Sequence, residues 1–402
     1  MINAELILAD RVSLIAESET IKMSKLAREL AASGKKIINL SLGEPDFNTP
    51  DHVKEAAIKA LKENFTHYSP VIGYADLRTA ISEKLKEENN LNYSPEQIVV
   101  STGAKQALMN AILSVVNPGD EVLLPTPFWG SYSEMVKLAG GIPVYLPTKE
   151  ENGFKLENQL LESSINPKTK LFMFSSPNNP TGNFYSKDEL RTLVEVFEKY
   201  PQVYILSDEI YEHLNYVGKH ESIAQFEQIK QRVILVNGFS KAFAMTGWRL
   251  GYLAADLKIA KASEKIQGQI TSGTSSISQK AGVGAYTSGK ETVVTMVESF
   301  KNRRDIGYEI LNSIPDLNIQ MPDAAFYFFP NVKAYLGKTT VEGEKIESST
   351  QLVMYLLQSA GIALVAGDSF GHPDHIRISY AASEEDIING LNGLKEVLST
   401  LK

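Results

Sequence analysis

The sequence contains no cysteine among its 402 residues. The chain therefore cannot form disulfide bonds, bind a metal through thiolates or use a cysteine nucleophile. It also lacks a run of about 20 apolar residues, the length that a membrane-spanning helix requires. The stretch MINAELILADRV at the amino terminus carries acidic residues where a signal peptide carries basic ones. We therefore expect a cytoplasmic protein that does not associate with membranes, and we predict no metal site.

Basic residues are too few to indicate a surface for nucleic acid. Lysine and arginine together number 40 against 48 aspartate and glutamate residues, which gives a formal net charge of -8. Binding to a phosphate backbone needs a strongly basic face, so nucleic acid is not an expected partner. A small anionic ligand needs only a few local positive groups, and the composition is compatible with one.

Short apolar runs alternate with amphipathic segments between residues 37 and 290. Near-continuous apolar strands separated by helices are typical of a mostly parallel sheet covered by helices on both faces. The helical face that follows Gly103 is the clearest, because apolar residues recur there at helical spacing up to Val115. The six apolar runs are Gln97–Ser101, Glu121–Pro125, Leu171–Ser175, Val203–Asp208, Val233–Phe239 and Leu250–Ala254.

The length of the chain predicts two domains, because typical domains contain about 100–200 residues. A helical stretch around residues 280–313 leads into a region of alternating strands and helices at 315–402. We interpret residues 46–290 as a large domain and residues 291–402 as a smaller α+β domain. Residues 1–36 are polar and helix-prone, and we expect the amino-terminal segment 1–45 to pack with the smaller domain.

Five polar loops follow the predicted strands. Open α/β sheets bind ligands in the crevice beyond the carboxyl ends of their strands, so these loops are expected to meet at one edge of the sheet. Their shared position is more informative than any single loop. The loops are Thr102–Lys105, Thr126–Trp129, Ser176–Gly182, Asp208–Tyr211 and Ser240–Lys241.

The loop around Gly103 is the candidate anion site. A glycine between strand and helix lets backbone amides point at an anion, although a simple strand-to-helix turn looks the same. Lys105 in the first helical turn opposes the helix macrodipole, which favours a nearby anion. Neither GxGxxG nor GxxxxGK[ST] occurs, so dinucleotides and nucleoside triphosphates lack their usual signals.

Each polar residue singled out at these loops and strands also has an interpretation that involves no ligand. Asp208 either caps the next helix or keeps a ring nitrogen protonated, with Tyr211 three residues later facing the same ligand. Asn179 lies in a Pro-Asn-Asn-Pro sequence that any surface turn can use. Lys241 can be a surface lysine. Arg249 and Arg377 lie in apolar strand patterns, in which alternation can direct them to water.

The stretch Ser240–Arg249 (SKAFAMTGWR) resembles the lysine signature of class I aminotransferases that depend on pyridoxal phosphate, in particular the gamma subgroup of aspartate aminotransferases. The other blocks of this family occur in order along nearly the whole chain. The resemblance implies the fold of type I pyridoxal-phosphate transferases, with a mostly parallel central sheet and a smaller α+β domain. The blocks are Asn39–Phe47, Tyr68–Gly73, Thr102–Lys105, Ser175–Gly182, Ser207–Tyr211 and Ile376–Ser379.

The resemblance also implies roles around the cofactor ring. Lys241 would form the Schiff base and act as the general base, for which its pKa must fall from about 10.4. Asp208 would pair with the pyridine nitrogen, and Tyr211 and Asn179 would bond the phenolic oxygen. Trp129 would stack on the ring.

Further implied roles concern the phosphate group of the cofactor. The backbone of Gly103, Ala104 and Lys105 would hold it, with Arg249 as the cation and Ser240 as a hydroxyl donor.

The resemblance further implies a homodimer with shared active sites. Tyr68 would reach the phosphate from the neighbouring subunit. Arg377 would clamp the substrate α-carboxylate, supported by Gly43 and Asn179.

Lys105 would bind the second carboxylate of a dicarboxylic substrate in the branch that this chain resembles. Ser18 and Thr20 would lie near the substrate side chain, although they stand among acidic residues. Transfer of the amino group of aspartate to 2-oxoglutarate is therefore the leading hypothesis. An aminotransferase for aromatic amino acids or prephenate, a lyase and a non-catalytic cofactor-binding regulator stay open. A dinucleotide-dependent dehydrogenase is disfavoured by the missing glycine fingerprint.

Overall fold

The computed structural model describes residues 7–402. Residues 1–6, on which the prediction about the amino terminus partly rests, lie outside the described residues. No helix of the described chain is long and apolar enough to cross a membrane. The strands are β1 (Ile38–Asn39), β2 (Ile98–Ser101), β3 (Glu121–Thr126), β4 (Ile142–Pro147), β5 (Thr169–Ser175), β6 (Tyr204–Asp208), β7 (Val233–Gly238), β8 (Gly251–Ala254), β9 (Tyr327–Phe328), β10 (Ile362–Ala363), β11 (Val365–Ala366) and β12 (Ile376–Ser379).

The α-helices alternate with the strands through the first two thirds of the chain and dominate its last third. They are α1 (Asp10–Leu14), α2 (Glu19–Ala32), α3 (Asp51–Lys62), α4 (Ala75–Asn89), α5 (Ala104–Val115), α6 (Ser131–Leu138), α7 (Asn158–Ser164), α8 (Lys187–Glu198), α9 (Leu257–Ile270), α10 (Ser276–Thr287), α11 (Lys290–Asn312), α12 (Ser349–Ala360) and α13 (Glu384–Thr400). The predicted helical stretch at 280–313 is two helices, because Ser288 and Gly289 separate α10 from α11, and Gly289 adopts a φ of 70°.

The large sheet has seven strands in the order β2-β8-β7-β6-β5-β3-β4. Only β8 runs antiparallel to its neighbours, which confirms the predicted mostly parallel sheet. All six predicted apolar runs are strands. The sequence analysis missed β4, an edge strand that is partly exposed and contains Pro143 and Pro147, so its pattern lacks a continuous apolar run.

Both faces of the large sheet are buried. In β5, Phe172 and Phe174 point into one hydrophobic core, whereas Leu171 and Met173 point into another. This alternation follows from the two-residue period of a strand, and a continuous apolar sequence buries both faces. Full burial of one such side chain contributes about 1.5–3 kcal/mol. The predicted layers of helices on both faces are therefore confirmed.

A smaller antiparallel sheet in the order β11-β12-β9 forms in the carboxyl-terminal third. β1 pairs in parallel with β10, and Met23 and Leu40 share a core with Leu391 from α13. The amino-terminal segment also contacts the large sheet region, because the backbone N–H of Ala16 donates to Glu134 Oε2 at 2.8 Å. The domain boundaries themselves stay a prediction.

Candidate active site

The polar loops that follow β2, β3, β5, β6 and β7 meet at one edge of the large sheet because these strands run parallel. They enclose a cavity of about 320 Å³ together with segments from the amino-terminal and carboxyl-terminal regions. Most of the predicted site residues line it, whereas Gly103 and Tyr68 do not. The predicted residues that do so are Ser18, Thr20, Gly43, Ala104, Lys105, Trp129, Asn179, Asp208, Tyr211, Ser240, Lys241, Arg249 and Arg377.

Asp208 is the buried carboxylate of this cavity, with 3% of its surface exposed at the end of β6. The Tyr132 hydroxyl donates to its Oδ2 at 2.7 Å, and the backbone N–H of Ile210 donates to Oδ1 at 3.2 Å. Burial raises the pKa of Asp208 from 3.8 to about 6, against the opposing effect of these hydrogen bonds. Residues 210–213 form turns, so Asp208 does not cap a helix. A carboxylate in this position is suited to a cationic partner.

Lys241 follows β7 and is half-buried. Its Nζ donates a hydrogen bond to the backbone oxygen of Gly43. Burial lowers the pKa of Lys241 from 10.5 to about 8, although the Glu44 carboxylate acts in the opposite direction. The amine therefore releases its proton at a lower pH than the amine of a surface lysine does. A lysine in this state can act as a nucleophile and base near neutral pH.

Tyr211 lies beside Asp208 with its hydroxyl 2.8 Å from the hydroxyl of Tyr327. Burial raises the pKa of Tyr211 well above its ordinary value, so this phenol keeps its proton and can donate. Gly43 lies against the same pair, because a Cβ there would be 2.6 Å from the Tyr327 oxygen. A larger residue at position 43 would displace Tyr327 from the cavity wall.

An anion-binding corner lies at the start of α5. Gly103 has a φ of 81°, and a Cβ there would lie 2.5 Å from Nη2 of Arg249. Glycine thus lets the guanidinium lie against the amino terminus of the helix, next to Ala104. The pairing of a cation with free helix amides is favourable for a phosphate or similar anion. Ser240 lines the same cavity and is buried.

Arg249 corrects one expectation, because it does not lie in a strand. It precedes β8 and adopts a φ of 55° in the left-handed region. Its Nη1 donates to the backbone oxygen of Thr246 at 2.9 Å. The apolar run in the sequence begins at Leu250, which is buried but precedes β8 by one residue. The run alone therefore places the start of the strand next to Arg249.

Arg377 lies in β12 as predicted, but it is only 1% exposed and does not point to water. Its Nη1 donates to Asn179 Oδ1 at 3.0 Å and its Nη2 to the Ser41 oxygen at 2.7 Å. The guanidinium lies over the rings of Tyr327 and Phe370, 4.5 and 5.1 Å from their centroids. Its Nε has no hydrogen-bond partner, and no carboxylate within residues 7–402 forms an ion pair with it. A buried guanidinium without a counter-ion is suited to an anionic ligand.

Lys105 extends from the first turn of α5 to the cavity mouth. Its Nζ lies 3.2 Å from Ser131 Oγ and 4.7 Å from the centroid of the Trp129 ring. Partial desolvation and the charge of Arg249 lower the pKa of Lys105. Lys105 and Arg377 are thus two cationic side chains that line the same cavity.

Tyr68 is 97% exposed on the loop between α3 and α4. The backbone around it is nevertheless fixed, because Ser276 Oγ donates to the His67 oxygen at 2.7 Å and Ser69 Oγ to the Thr274 oxygen at 2.8 Å. The loop therefore presents the Tyr68 ring to solvent on an anchored backbone, outside the cavity of its own chain.

Sequence reasoning missed several side chains of the cavity and its surroundings, among them Glu44, Tyr132, Tyr327 and Phe370. Tyr132 lies three residues after Trp129, a spacing that could have indicated a shared orientation toward the cavity. Tyr327 lies in a strand that was predicted, but its contact with Arg377 joins two strands of the smaller sheet. No local pattern marks Phe370, because only the fold brings it to Arg377.

A family model for "Aminotransferase class I and II" matches residues 35–394. A probable aspartate/prephenate aminotransferase of Rhizobium leguminosarum bv. phaseoli is 46% identical over 94% of this chain and 96% of the relative. The solved structure of aspartate aminotransferase from Rhizobium meliloti superposes with a TM-score of 0.96 at 41% identity, over 99% of this chain and 100% of that one. Aspartate aminotransferase from Thermus thermophilus, solved with maleate, gives a TM-score of 0.92 at 37% identity over 98% and 100% of the two chains.

Proposed function

The chain belongs to the class I and II aminotransferase family, and on that premise we propose that it transfers the amino group of L-aspartate to 2-oxoglutarate, with pyridoxal phosphate bound at Lys241. One observation carries the proposal. A lysine with a lowered pKa, a buried carboxylate and a buried, unpaired guanidinium converge on one cavity. Such a combination of perturbed groups in a cleft is typical of a catalytic site.

The residues of the cavity fit pyridoxal phosphate at three points. Asp208 offers a buried carboxylate to a protonated ring nitrogen, and Lys241 offers an amine to the aldehyde carbon. Arg249 and the amino terminus of α5 at Gly103 offer a corner for the phosphate. When bound, pyridoxal phosphate supplies an electron-withdrawing ring that stabilises negative charge at the α-carbon of an amino acid.

The proposed roles follow from these positions. Asp208 holds a proton at the ring nitrogen, and Tyr211 donates its hydroxyl proton to the phenolic oxygen. Asn179 accepts from Arg377 through Oδ1, which leaves Nδ2 as a donor to the same phenolic oxygen. Lys241, which would hold the cofactor, would be released when the amine of the substrate takes its place, and its free Nζ would then take the proton from the substrate α-carbon. Trp129 covers the ring and excludes water from one side.

Two cationic groups support a dicarboxylic substrate. Arg377 presents a planar fork to the α-carboxylate, and Lys105 binds the second carboxylate near Ser18 and Thr20. This role also explains why a cation stands at the start of a helix, where the macrodipole disfavours it. Two similar proteins agree with the assignment, since one is named for aspartate and prephenate and another was solved with maleate, a dicarboxylate.

We further propose a cytoplasmic homodimer in which Tyr68 completes the phosphate site of the neighbouring subunit. A second cavity of about 640 Å³ beside Arg249, lined also by Thr102 and Trp248, supplies the space for such a side chain. The anchored loop presents the Tyr68 ring and hydroxyl together, a combination that is favourable at an interface, where the ring is buried and the hydroxyl finds a partner.

The test of the proposed function is the visible absorption of the protein loaded with pyridoxal phosphate, before and after addition of L-aspartate alone. We expect the absorption of the bound cofactor to shift and one oxaloacetate to form per bound cofactor. Absorption that ignores aspartate and responds to another amino acid would overturn the proposed donor. No absorption after incubation with pyridoxal phosphate would overturn the proposed cofactor.

A larger cavity favours a second candidate function, transamination of bulky substrates, with aromatic amino acids as amino donors or prephenate as the amino acceptor. It measures about 910 Å³ and shares Lys105 and Trp129 with the site. Met109, Met135 and Leu138 contribute apolar side chains to its lining. Met109→Trp is expected to reduce kcat/KM for phenylalanine and prephenate while that for aspartate is retained. An equal loss for all substrates would argue against a separate space for bulky side chains.

A further inference from the structure

Tyr132 lies beneath the candidate active site in the first turn of α6 and is only 1% exposed. Its hydroxyl donates to Asp208 Oδ2 at 2.7 Å. Its backbone N–H donates to the Trp129 oxygen at 2.8 Å, and the two rings pack edge to face with centroids 5.5 Å apart. The position of the hydroxyl is therefore fixed by the backbone and by ring packing, on the same turn that carries Trp129.

Asp208 has few other groups that favour its charged form. Within residues 7–402, Tyr132 is the one side chain that hydrogen-bonds its carboxylate, and the Ile210 N–H is the backbone donor. Of the charged neighbours, Glu209 disfavours ionisation of Asp208 and Lys241 favours it. Tyr211, the remaining titratable neighbour, keeps its proton and carries no charge.

We propose that Tyr132 is a positioning residue that orients the Asp208 carboxylate and holds it in the ionised form for the ring nitrogen of the cofactor. This inference rests on the proposed function. Because Tyr132 donates to Oδ2 and Ile210 donates to Oδ1, the Asp208 carboxylate cannot rotate freely. Asp208 itself lines the cavity, as Tyr132 and Ile210 do. A hydrogen bond to a charged acceptor is stronger than one between neutral groups, so its loss weakens the pairing with a cationic ring.

The alternative is that Tyr132 is only a large core side chain. Tyr132→Phe separates the two, because phenylalanine keeps the ring and its contact with Trp129 and removes only the hydroxyl. A matched control is Tyr252→Phe, since Tyr252 is also fully buried and its hydroxyl bonds only another tyrosine, Tyr286, at 3.3 Å.

The experiment titrates each cofactor-free protein with pyridoxal phosphate across a pH series and measures kcat for aspartate on the loaded protein. We expect Tyr132→Phe to weaken cofactor affinity about tenfold or more. We expect the acidic limb of the affinity and kcat profiles to move to higher pH, because loss of the hydrogen bond raises the pKa of Asp208. Tyr252→Phe should leave both measurements at the wild-type values. Wild-type affinity and an unmoved acidic limb in Tyr132→Phe would overturn the inference.

A double-mutant cycle keeps the test independent of general effects on folding. In an Asp208→Asn background the hydroxyl no longer faces a carboxylate, so Tyr132→Phe should have little further effect on cofactor affinity. Additive losses in the double variant would show that Tyr132 acts elsewhere. Failure of the wild-type protein to bind pyridoxal phosphate would instead overturn the proposed function itself, so the two failures are distinguishable.

Discussion

Lys241→Met removes the amine that we propose as cofactor attachment point and general base, while it retains most of the side-chain volume. Turnover with aspartate should be abolished, and the cofactor-free protein should become more stable near neutral pH. The shift in the pKa of Lys241 from 10.5 to about 8 corresponds to about 3 kcal/mol by which the fold disfavours the ammonium form. Solvent screening of the half-buried side chain and loss of its hydrogen bond to Gly43 reduce the expected gain to about 1–2 kcal/mol.

The gain from Lys241→Met should depend on pH in a defined direction. Below about pH 8 the lysine is charged in both the folded and the unfolded chain, so the wild type bears the full penalty. As the pH rises from 8 toward 10.5, the folded protein releases the proton first and the penalty shrinks. The stability advantage of the methionine variant is therefore constant below the folded pKa and declines above it.

Denaturant unfolding of the cofactor-free proteins at several pH values measures this difference in the free energy of unfolding. Lys258→Met, at an exposed position of α9, is the matched control and should show no such pH-dependent advantage. Equal stability of wild type and Lys241→Met, or an advantage that grows with pH, would refute the electrostatic reasoning. Substantial residual transamination would remove Lys241 from the proposed mechanism.

Three further substitutions test the proposed ligand contacts. Lys105→Ala should raise the KM for aspartate far more than that for alanine in steady-state assays, and equal effects would contradict a role with the second carboxylate. Arg377→Lys should lower kcat/KM for aspartate and alanine alike, by about 100-fold, because one ammonium replaces a planar fork; a loss confined to aspartate would contradict the assignment. Gly103→Ala should weaken cofactor binding in an equilibrium titration, since its Cβ would meet Arg249 at 2.5 Å. Gly119→Ala, with a φ of 88° and nothing within 4 Å of the added Cβ, controls for backbone strain and should bind normally.

The central sheet was predictable because burial on both faces leaves a strong local signal. Residues 171–174 of β5 and 233–236 of β7 are all apolar and buried, and the pattern therefore stands out from the flanking helices. The edge strand β4 gave no such signal, since one side of it meets solvent and prolines interrupt its pattern. The loops at the carboxyl ends of the strands were predictable once the strands were found. Parallel strands bring their carboxyl ends to one edge of the sheet, and the loops that follow them meet there.

The surroundings of the site were predictable only in part, because they depend on contacts between distant parts of the chain. Arg377 is buried through hydrogen bonds to Asn179 and Ser41, residues that lie 198 and 336 positions away in the sequence. Strand alternation allows such a side chain to point to either side of the sheet. The side on which Arg377 lies is buried by segments that are distant in the sequence, including the one that contains Ser41. Tyr132 was missed because periodicity does not separate a tyrosine that packs from one that donates to a carboxylate.

Three buried or half-buried ionisable groups line this cavity together. Burial alone disfavours the charged forms of Asp208, Lys241 and Arg377, as the directions of their pKa shifts show. A fold selected only for stability would replace them with apolar residues of similar size, because well-packed apolar groups avoid the desolvation cost. A cofactor with a cationic ring nitrogen and an aldehyde carbon would satisfy Asp208 and Lys241, and the carboxylate of a substrate would satisfy Arg377. The cost of burying these three groups would thus be recovered on binding of cofactor and substrate.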